Sequence, residues 1–419
     1  MNPFARQNLM ISKPAAELIK NVKILVVGVG AGGNELLKNL LLMGFGNLTI
    51  VDFDYIEDSN LSRTTLFRKE DIGKSKSIVA AERLREMALH SNPNIIGLHG
   101  NLMTDFGKGL FLEHDVVICC VDTQKARAYI SDWCVLTKTP YFEMGFSEYD
   151  VDVCFFAPEG SMTQKDGEII NKLPSSDGAF PTFNGAFPVC LREEIGFGTF
   201  EEKRNSCSAF KVRDTNLAKI PTIQVSAAMA GVLIATELVK YLDGKDSIRN
   251  KMLLYFGLTY ETMICNYSRN SKCTIHDENF DLVKTEIYRK ATIRELIQSV
   301  ELENNCRVIL QLPDEYILSG RCHTCGKTIE INKRRNEIWD DERWCSECRN
   351  TIENYSHILE FANNFKVVPK EVSLGSEDYI LNRTLEEVGV PANDILKCFF
   401  IYDNRTPEFK YLYIKNNRL

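Results

Sequence analysis

A glycine-rich turn carries the first residues whose types and spacing suit chemistry. In the run KILVVGVGAGG, Gly28, Gly30 and Gly33 follow an apolar segment. Glycines at this spacing allow the backbone N–H groups at a helix N-terminus to approach a phosphate. Asp52 ends the next apolar segment, where a carboxylate can bind a ribose hydroxyl. The turn predicts a nucleotide site, and by itself it fits an NAD-dependent dehydrogenase as well as an enzyme that uses ATP.

Polar residues that follow the turn favour ATP over NAD. They are Asp54, Asn60, Arg63, Lys76 and Asp122. Transfer of an AMP group requires that a triphosphate and a departing pyrophosphate be neutralised, which calls for Arg, Lys and a carboxylate that holds a metal ion. Hydride transfer from NAD needs no such set. We therefore predict a site for ATP and Mg²⁺.

Two cysteine pairs near the C-terminus predict a zinc site. The pairs are Cys322 with Cys325 and Cys345 with Cys348, at the spacing of a four-cysteine zinc ribbon. Gly326, directly after the first pair, suits the tight turn that such a site needs. Four thiolates fill the coordination sphere of Zn²⁺, so we expect this site to be structural rather than catalytic.

The elements that must position these residues alternate between strand and helix. Short apolar runs predict strands at Lys23–Val27, Leu48–Asp52, Ile95–Leu98, Asp115–Asp122, Val151–Ala157 and Met252–Phe256. Helical patterns follow the glycine turn and span Ser75–Met87 and Pro221–Leu242. This alternation predicts an α/β, doubly wound, Rossmann-like domain with its ligands at the carboxyl ends of the strands.

The character of the chain changes near Asp277, where we place a domain boundary. Residues 1–276 are expected to form the nucleotide-binding domain, and the irregular stretch 158–219 is expected to be a functional loop. Residues 277–419 are expected to hold a zinc ribbon at 320–350 and a small mixed domain at 351–419. The strand-like runs IYDN and KYLYIK, with a helix at Leu385–Val388, are expected in that last domain.

Composition argues against several classes of function. The net charge of −7 argues against a nucleic-acid partner, because neutralising phosphates needs a basic surface. We expect no membrane partner, since the start lacks the order of a secretory signal and no run approaches the roughly twenty apolar residues of a span. The 14 cysteines are therefore interpreted as thiols or metal ligands of a cytoplasmic protein.

Six motifs, in their order and spacing, resemble the MoeB, ThiF and ubiquitin-activating superfamily. They are GVGAGG, LTIVDFD, NLSR, the lysine of IGKSK, DVVICCVD and SAAMAGVLIATELVKYL. The resemblance implies that Asp52 binds ribose, that Asn60, Arg63 and Lys76 contact phosphates, and that Asp122 holds magnesium. Arg6 matches an arginine that such proteins often supply across a dimer interface, and the alternative is a solvated charge near the terminus.

The resemblance also implies roles for cysteines in the first domain. Relatives carry a zinc site there, and this chain retains Cys190, Cys273 and His276 as a partial ligand set. Cys207 lies where many relatives place a reactive cysteine, and Lys203 and Arg204 favour its thiolate. Three interpretations of Cys207 stay open: the nucleophile of a thioester, a fourth zinc ligand, or an ordinary loop thiol.

Three functions follow from the resemblance. In the first, a homodimer adenylates the C-terminal carboxylate of a ubiquitin-like protein, forms a thioester on Cys207 and passes the acyl group to a conjugating enzyme. In the second, adenylation proceeds without a thioester and serves sulfur-carrier activation or peptide modification. In the third, the chain is a nucleotide-binding subunit without catalysis, which the joint presence of Arg63, Lys76 and Asp122 disfavours.

Overall fold

The computed structural model describes residues 3–89, 92–157, 163–165, 168–170, 223–266, 280–322, 325–335, 338 and 365–415. The chain divides into two compact units. The first unit comprises Met1–Asp105 and Leu110–Glu278, and the second comprises Phe106–Gly109 and Asn279–Leu419. A short stretch from the first half of the chain is thus part of the second unit.

The first unit is built around an eight-stranded sheet with helices on its faces. Its elements are α1 (Lys13–Asn21), β1 (Lys23–Val27), α2 (Ala31–Leu42), β2 (Asn47–Asp52), α3 (Lys76–Met87), β3 (Asn94–His99), α4 (Leu110–Glu113), β4 (Val116–Cys119), α5 (Gln124–Thr137), β5 (Tyr141–Phe146), β6 (Val151–Phe156), β7 (Thr163–Lys165), β8 (Glu168–Ile170), α6 (Gln224–Leu242), β9 (Lys251–Phe256) and β10 (Glu261–Asn266). Strands β7 and β8 form a separate two-stranded sheet.

The strand order of the large sheet is β10-β9-β6-β5-β4-β1-β2-β3. Strands β5, β4, β1, β2 and β3 run parallel, whereas β6, β9 and β10 add as antiparallel neighbours. The doubly wound prediction is therefore correct for the parallel part, and the sheet as a whole is mixed. The reason is the short turn between β5 and β6, because a parallel return needs a crossover of a dozen or more residues.

Several predicted elements are confirmed and others need correction. The glycine turn, β1 and the strand ending at Asp52 lie where the sequence predicts them. The strand predicted for Asp115–Asp122 ends at Cys119, because the chain turns there toward α5. Helix α5 and strand β10 were not predicted from the sequence. The predicted loop at 158–219 lies almost entirely outside the described residues, apart from the hairpin of β7 and β8.

Helix α6 packs closely on α2 in the core of the first unit. A Cβ atom at Gly231 would lie 2.8 Å from the backbone nitrogen of Leu36, so the absence of a side chain permits this approach. Contrary to the expectation from the sequence, α6 is long and apolar enough by length and composition to span a membrane. In its most apolar stretch of 18 residues, 56% is buried, and a helix in the core of a soluble protein can be equally long and apolar.

The described part of the second unit forms a five-stranded sheet, a three-stranded sheet and two helices. Its elements are β11 (Leu282–Tyr288), α7 (Ile293–Asn304), β12 (Arg307–Gln311), β13 (Tyr316–Arg321), β14 (Thr328–Arg334), β15 (Phe365–Val368), β16 (Glu371–Val372), α8 (Asp378–Leu381), β17 (Asp394–Ile401) and β18 (Glu408–Lys415). The strand orders are β11-β18-β17-β12-β16 and β14-β13-β15. Apolar residues of α7 pack with β12, β17 and β18 in one core.

Two predictions for the second unit were wrong in position. The run IYDN is not a strand of its own, since β17 ends at Ile401 and the chain then turns. Leu385–Val388 forms turns rather than a helix. There the backbone N–H of Thr384 donates to Glu387 at 2.7 Å, and Gly389 at φ +75° ends the segment before it can continue as a helix. The nearby helix is α8.

Candidate functional site

The glycine turn joins β1 to α2 and requires glycine at two of its three positions. Gly28 has φ +94°, and a Cβ there would lie 2.7 Å from the carbonyl oxygen of Cys120. A Cβ at Gly33 would overlap the carbonyl oxygen of Gly28. At Gly30, by contrast, nothing lies within 4 Å of a Cβ position. The open side of the turn is therefore at Gly30, beside the N-terminus of α2, where a phosphate fits.

Asp52 fixes the turn to the end of β2. One carboxylate oxygen accepts a hydrogen bond from the backbone nitrogen of Val29 at 2.6 Å. The other accepts from the backbone nitrogen of Asp54 at 2.8 Å. Burial raises the pKa of Asp52, although the positive charge of Lys76 and these two bonds favour the ionised form. Each carboxylate oxygen keeps a lone pair for a ribose hydroxyl, so the predicted role of Asp52 is compatible with its geometry.

Lys76 and Asp54 form an ion pair beside the turn. The Nζ atom of Lys76 lies 2.7 Å from a carboxylate oxygen of Asp54, and the side chains are 10% and 29% exposed. The backbone nitrogen of Lys76 also donates to the carbonyl oxygen of Asp54 at 3.1 Å. Lys76 begins α3, with Ser75 as its N-cap residue. The two predicted residues therefore lie together, and Asp54 holds Lys76 through an ion pair. The predicted contact of Lys76 with phosphates stays a prediction.

Asn60 and Arg63 lie on a 3-10 helix, Asp58–Arg63, that follows Asp54. The side-chain oxygen of Asn60 accepts from the backbone nitrogen of Glu57 at 2.9 Å. The guanidinium of Arg63 donates to the carbonyl oxygen of Ser59 at 2.9 Å. Both side chains are half-buried and bond within their own turn. Their predicted contact with phosphates stays a prediction.

Asp122 lies in the connection between β4 and α5, three positions after the strand ends. Its side chain is exposed. The next residue, Thr123, caps α5 by accepting a hydrogen bond from the backbone nitrogen of Ala126 at 3.3 Å. Since β1 lies between β4 and β2 in the sheet, Asp122, the glycine turn and Asp52 all lie at or just after the carboxyl ends of neighbouring strands.

This edge of the sheet fits ATP with a bound Mg²⁺ ion. Mg²⁺ is commonly held by one or two carboxylates together with phosphate oxygens. Asp122 offers an exposed carboxylate, and the turn beside it is open at Gly30. Lys76 supplies a positive charge at the same edge. The residues present can therefore hold the nucleotide and its metal ion.

Arg6 lies away from the glycine turn of its own chain. It is exposed and precedes the 3-10 helix Gln7–Leu9. The side chain of Gln7 donates to the carbonyl oxygen of Met43 at 2.8 Å, just after the C-terminal end of α2. Helix α2 has 12 residues, or about 18 Å, between that end and the turn. A cavity of about 380 Å³ lies at this distant end, lined by Phe4, Met43 and Leu89 among others. The segment that contains Arg6 therefore lies at the opposite end of α2 from the glycine turn, and the predicted role of Arg6 stays a prediction.

Two buried polar groups near the site were not predicted from the sequence. Asn34, which is fully buried, donates to the carbonyl oxygens of Val29 and Gly30 at 2.9 and 3.1 Å and accepts from the backbone nitrogen of Leu66 at 3.0 Å. It thereby joins the glycine turn to the segment that follows Arg63. The signal in the sequence was the polar residue Asn34 on the apolar face of α2.

The second unpredicted group is formed by Arg127, Glu143 and Tyr141. Arg127 pairs with Glu143, and the hydroxyl of Tyr141 donates to the other oxygen of the same carboxylate. Burial alone would lower the pKa of Arg127, but the charge of Glu143 outweighs it and raises that pKa. The signal in the sequence was a glutamate inside the apolar run YFEMGF. Nearby, burial raises the pKa of Cys119 to about 12, which suits a core thiol rather than a nucleophile.

Of the four predicted zinc-ribbon cysteines, the described residues include Cys322 and Cys325. The carbonyl oxygen of Cys322 accepts a hydrogen bond from the backbone nitrogen of Gly326 at 2.9 Å. The backbone nitrogen of Cys322 donates to the carbonyl oxygen of Lys327 at 2.8 Å. Gly326 has φ +72°, so glycine suits this tight turn. Cys345 and Cys348 lie outside the described residues, as do Cys190, Cys207, Cys273 and His276. Among the described residues, no group of three or more His, Cys, Asp or Glu side chains is arranged to hold a metal.

Subunits of SUMO- and NEDD8-activating enzymes are similar in sequence to part of this chain. SUMO-activating enzyme subunit 2 of Dictyostelium discoideum is 42% identical over 132 residues, which are 31% of this chain and 20% of that protein. The NEDD8-activating enzyme E1 catalytic subunit of Caenorhabditis elegans is 39% identical over 115 residues, 27% of this chain and 26% of that protein. The corresponding Drosophila melanogaster subunit is 37% identical over 146 residues, 34% of this chain and 31% of that protein. The aligned part of the chain spans about a fifth to a third of the length of these relatives.

Solved structures of Escherichia coli MccB are similar at lower identity. One, with AMPCPP and MccA, has a TM-score of 0.47 and 19% identity, and the match covers 65% of this chain and 74% of that one. The MccB structure with ATP has a TM-score of 0.48 and 17% identity, covering 66% and 74%. The ThiF family matches residues 4–275, which include the glycine turn, Lys76 and Asp122. Because this match extends over more than half of the sequence, the chain belongs to the ThiF family.

Proposed function

We propose that this protein uses ATP to adenylate the C-terminal carboxylate of a ubiquitin-like protein or peptide. The observation that carries the proposal is the common edge of the sheet, where the open side of the turn at Gly30, the Lys76–Asp54 pair and Asp122 follow neighbouring strands. A dehydrogenase would need the turn and Asp52 but neither the lysine nor the exposed carboxylate. The names of the SUMO- and NEDD8-activating relatives support this class of substrate.

The proposed reaction is a substitution at the α-phosphorus of ATP. A carboxylate oxygen of the substrate attacks that phosphorus, the bond to the bridging oxygen breaks, and pyrophosphate leaves with the electron pair. Charge increases on the phosphates as this happens, so Lys76 and Arg63 stabilise the transition state once they exchange Asp54 and Ser59 for phosphate oxygens. Asp122 would hold Mg²⁺, which would supply further neutralisation of the phosphate charge when bound. Asp52 orients the ribose.

A thioester stage is the second part of the proposal. The thiolate of Cys207 attacks the acyl carbon of the adenylate and AMP leaves. A nucleophile of a conjugating enzyme then attacks the thioester carbon, and the Cys207 thiolate leaves. Residues 351–419 are the proposed receiving domain, and the four zinc-ribbon cysteines are proposed to hold a structural Zn²⁺. The protein is proposed to act as a homodimer, since Arg6 lies at the far end of α2 from its own glycine turn.

The test is an intact-mass measurement under non-reducing conditions. The tagged 419-residue chain is incubated with ATP and Mg²⁺ in lysate of its source organism. Four forms are compared: wild type, Cys207→Ala, Asp122→Ala and Asp246→Ala, the last being a control at an exposed aspartate away from the site. We expect a reductant-sensitive added mass in wild type and Asp246→Ala only. That mass identifies the partner, which is then purified for pyrophosphate exchange.

The exchange assay separates the two chemical stages. Cys207→Ala should retain exchange, because adenylation precedes the thiol, whereas Asp122→Ala should lose it. An adduct that Cys207→Ala still forms would remove this cysteine from the mechanism. ATP consumption without any adduct would favour direct use of the acyl-adenylate, as in peptide modification. Tight ATP binding without exchange would favour a subunit without catalysis.

A further inference from the structure

The connection that contains Asp122 is fixed at both of its ends. At its start, the backbone nitrogen of Cys120 donates to the carbonyl oxygen of Val27 at 2.7 Å. The carbonyl oxygen of Cys120 is also the atom that a Cβ at Gly28 would meet. The connection therefore leaves β4 in direct contact with the glycine turn. It has four residues before α5 begins at Gln124.

At its other end, the connection enters a helix whose first turn is bound to β5 by one side chain. Arg127 follows the N-cap residue Thr123 by four positions, and its backbone nitrogen donates to the carbonyl oxygen of Thr123 at 3.1 Å. Its guanidinium uses one nitrogen for Glu143 and another for the carbonyl oxygen of Met144 at 2.8 Å. A planar guanidinium that makes two contacts on one strand fixes orientation as well as distance.

The strand side of this contact is itself rigid. Glu143 is 4% exposed, and its second oxygen accepts from Tyr141, a residue that is 1% exposed. Met144 also faces the glycine turn, since its sulfur would lie 2.5 Å from a Cβ at Gly32. The strand segment that holds Arg127 is thus packed against the start of α2. Movement of α5 away from β5 would carry Asp122 with it, because only Thr123 and the first turn separate them.

We propose that Arg127, through its pair with Glu143, is a positioning residue that holds Asp122 at the distance required for a metal-bound nucleotide. The inference rests on the proposed function and assigns the residue a role at the same site. Arg127 makes no contact with ATP in this mechanism. It acts on Asp122, and therefore on the part of ATP affinity that depends on Mg²⁺.

The test measures ATP binding by calorimetry with Mg²⁺ and with EDTA, and it needs no acyl substrate. The forms compared are wild type, Arg127→Gln, Asp122→Asn and the double variant. Arg85→Gln is the control, since Arg85 also donates to a backbone carbonyl, that of Ile95 at 3.0 Å, but on α3. We expect Arg127→Gln to weaken binding with Mg²⁺ about tenfold, the lower end of what supporting residues of a metal ligand contribute. Binding in EDTA should change less than about twofold.

The double variant distinguishes positioning from general stabilisation. If Arg127 acts through Asp122, Asp122→Asn with Arg127→Gln should bind Mg·ATP no more weakly than Asp122→Asn alone. Three results would each overturn the inference. They are equal weakening of ATP binding with and without Mg²⁺, additive effects in the double variant, and wild-type ATP affinity in Arg127→Gln. Glu143→Gln, which keeps an acceptor of the same shape, provides the measurement if Arg127→Gln does not fold. A wild type that binds ATP under neither condition would instead overturn the proposed function.

Discussion

Lys108, which is half-buried, forms an ion pair with the buried carboxylate of Asp394, 286 positions away in the sequence. The Nζ atom of Lys108 lies 2.9 and 3.0 Å from the two carboxylate oxygens, and the backbone nitrogen of Lys108 donates to one of them at 3.0 Å. Asp394 is fully buried. Gly107 and Gly109 flank the lysine, and a Cβ at either would overlap the carbonyl oxygen of Asn393. Residues 106–109 are therefore a packed component of the second unit.

Loss of this pair should destabilise the second unit strongly. Lys108→Ala leaves the carboxylate of Asp394 buried without its cation, and we expect the free energy of unfolding to fall by about 3–5 kcal/mol. The measurement is urea unfolding of the full chain, followed by hydrogen exchange of β17 and β18. The control is Asp378→Asn in the exposed pair with Arg294, where a change below about 1 kcal/mol is expected. Equal effects of the two substitutions would show that the buried pair is unimportant.

Alanine substitutions at Gly33 and Gly30 should distinguish a glycine that the fold requires from one that ATP binding requires. Gly33→Ala places a Cβ against the carbonyl oxygen of Gly28, so we expect lower thermal stability and loss of ATP binding. Gly30→Ala meets no protein atom within 4 Å, so its melting temperature should stay within a few degrees of wild type. Its ATP affinity should nevertheless fall, because the added methyl group projects into the phosphate space. Unchanged ATP affinity in Gly30→Ala would place the nucleotide elsewhere.

His114 should make stability fall as pH decreases below about 6.5. One ring nitrogen lies 2.7 Å from the carbonyl oxygen of Leu110 and must donate, so the other, 2.8 Å from the hydroxyl of Thr49, accepts. Burial lowers the pKa of His114 below its ordinary value of 6.5. The unfolded chain therefore binds the proton first, and the contribution of neutral His114 is present above pH 6.5 and lost as pH falls through the lowered pKa.

The pH dependence is checked by chemical unfolding from pH 7.5 down to pH 5 on wild type and His114→Gln. One proton contributes a slope of at most about 1.4 kcal/mol per pH unit. His114→Gln should show a smaller slope over this range, although it is less stable at pH 7.5. His99→Gln, at an exposed histidine, is the control for the same substitution outside the core. Identical slopes for wild type and His114→Gln would contradict the assignment.

Zinc content should depend on Cys322 and Cys325, the cysteine pair directly before Gly326. Cys322→Ser should reduce bound zinc by about one equivalent per chain and lower the unfolding temperature of this unit, because binding to a structural site contributes directly to folding. The comparison is Cys306→Ser, at a half-buried cysteine with no predicted role. Atomic absorption on gel-filtered protein gives the content. The same zinc content in Cys322→Ser and wild type would rule out the predicted ribbon.

The sequence alone determined the parts of this protein that local rules govern. The strand Lys23–Val27, the glycine turn and Asp52 follow from an apolar run, from positions where only glycine fits, and from the chain direction that brings strand ends together. The sequence also predicts the class of ligand, since Lys76, Arg63 and Asp122 are residue types that suit a triphosphate. Each of these depends on residues that are close in sequence or on neighbouring parallel strands.

Only the tertiary structure decided how distant residues meet. The antiparallel strands on one side of the sheet depend on which edge remains available, and no local pattern specifies that choice. The contacts of Asn34 with Leu66, of Arg127 with Glu143 and of Lys108 with Asp394 join segments that are separate in the sequence. A buried charge is stable only when its partner and hydrogen bonds are present, and packing supplies these rather than the residue's own neighbours. For the same reason the position of the segment that contains Arg6, at the end of α2 away from the glycine turn, became apparent only from the fold.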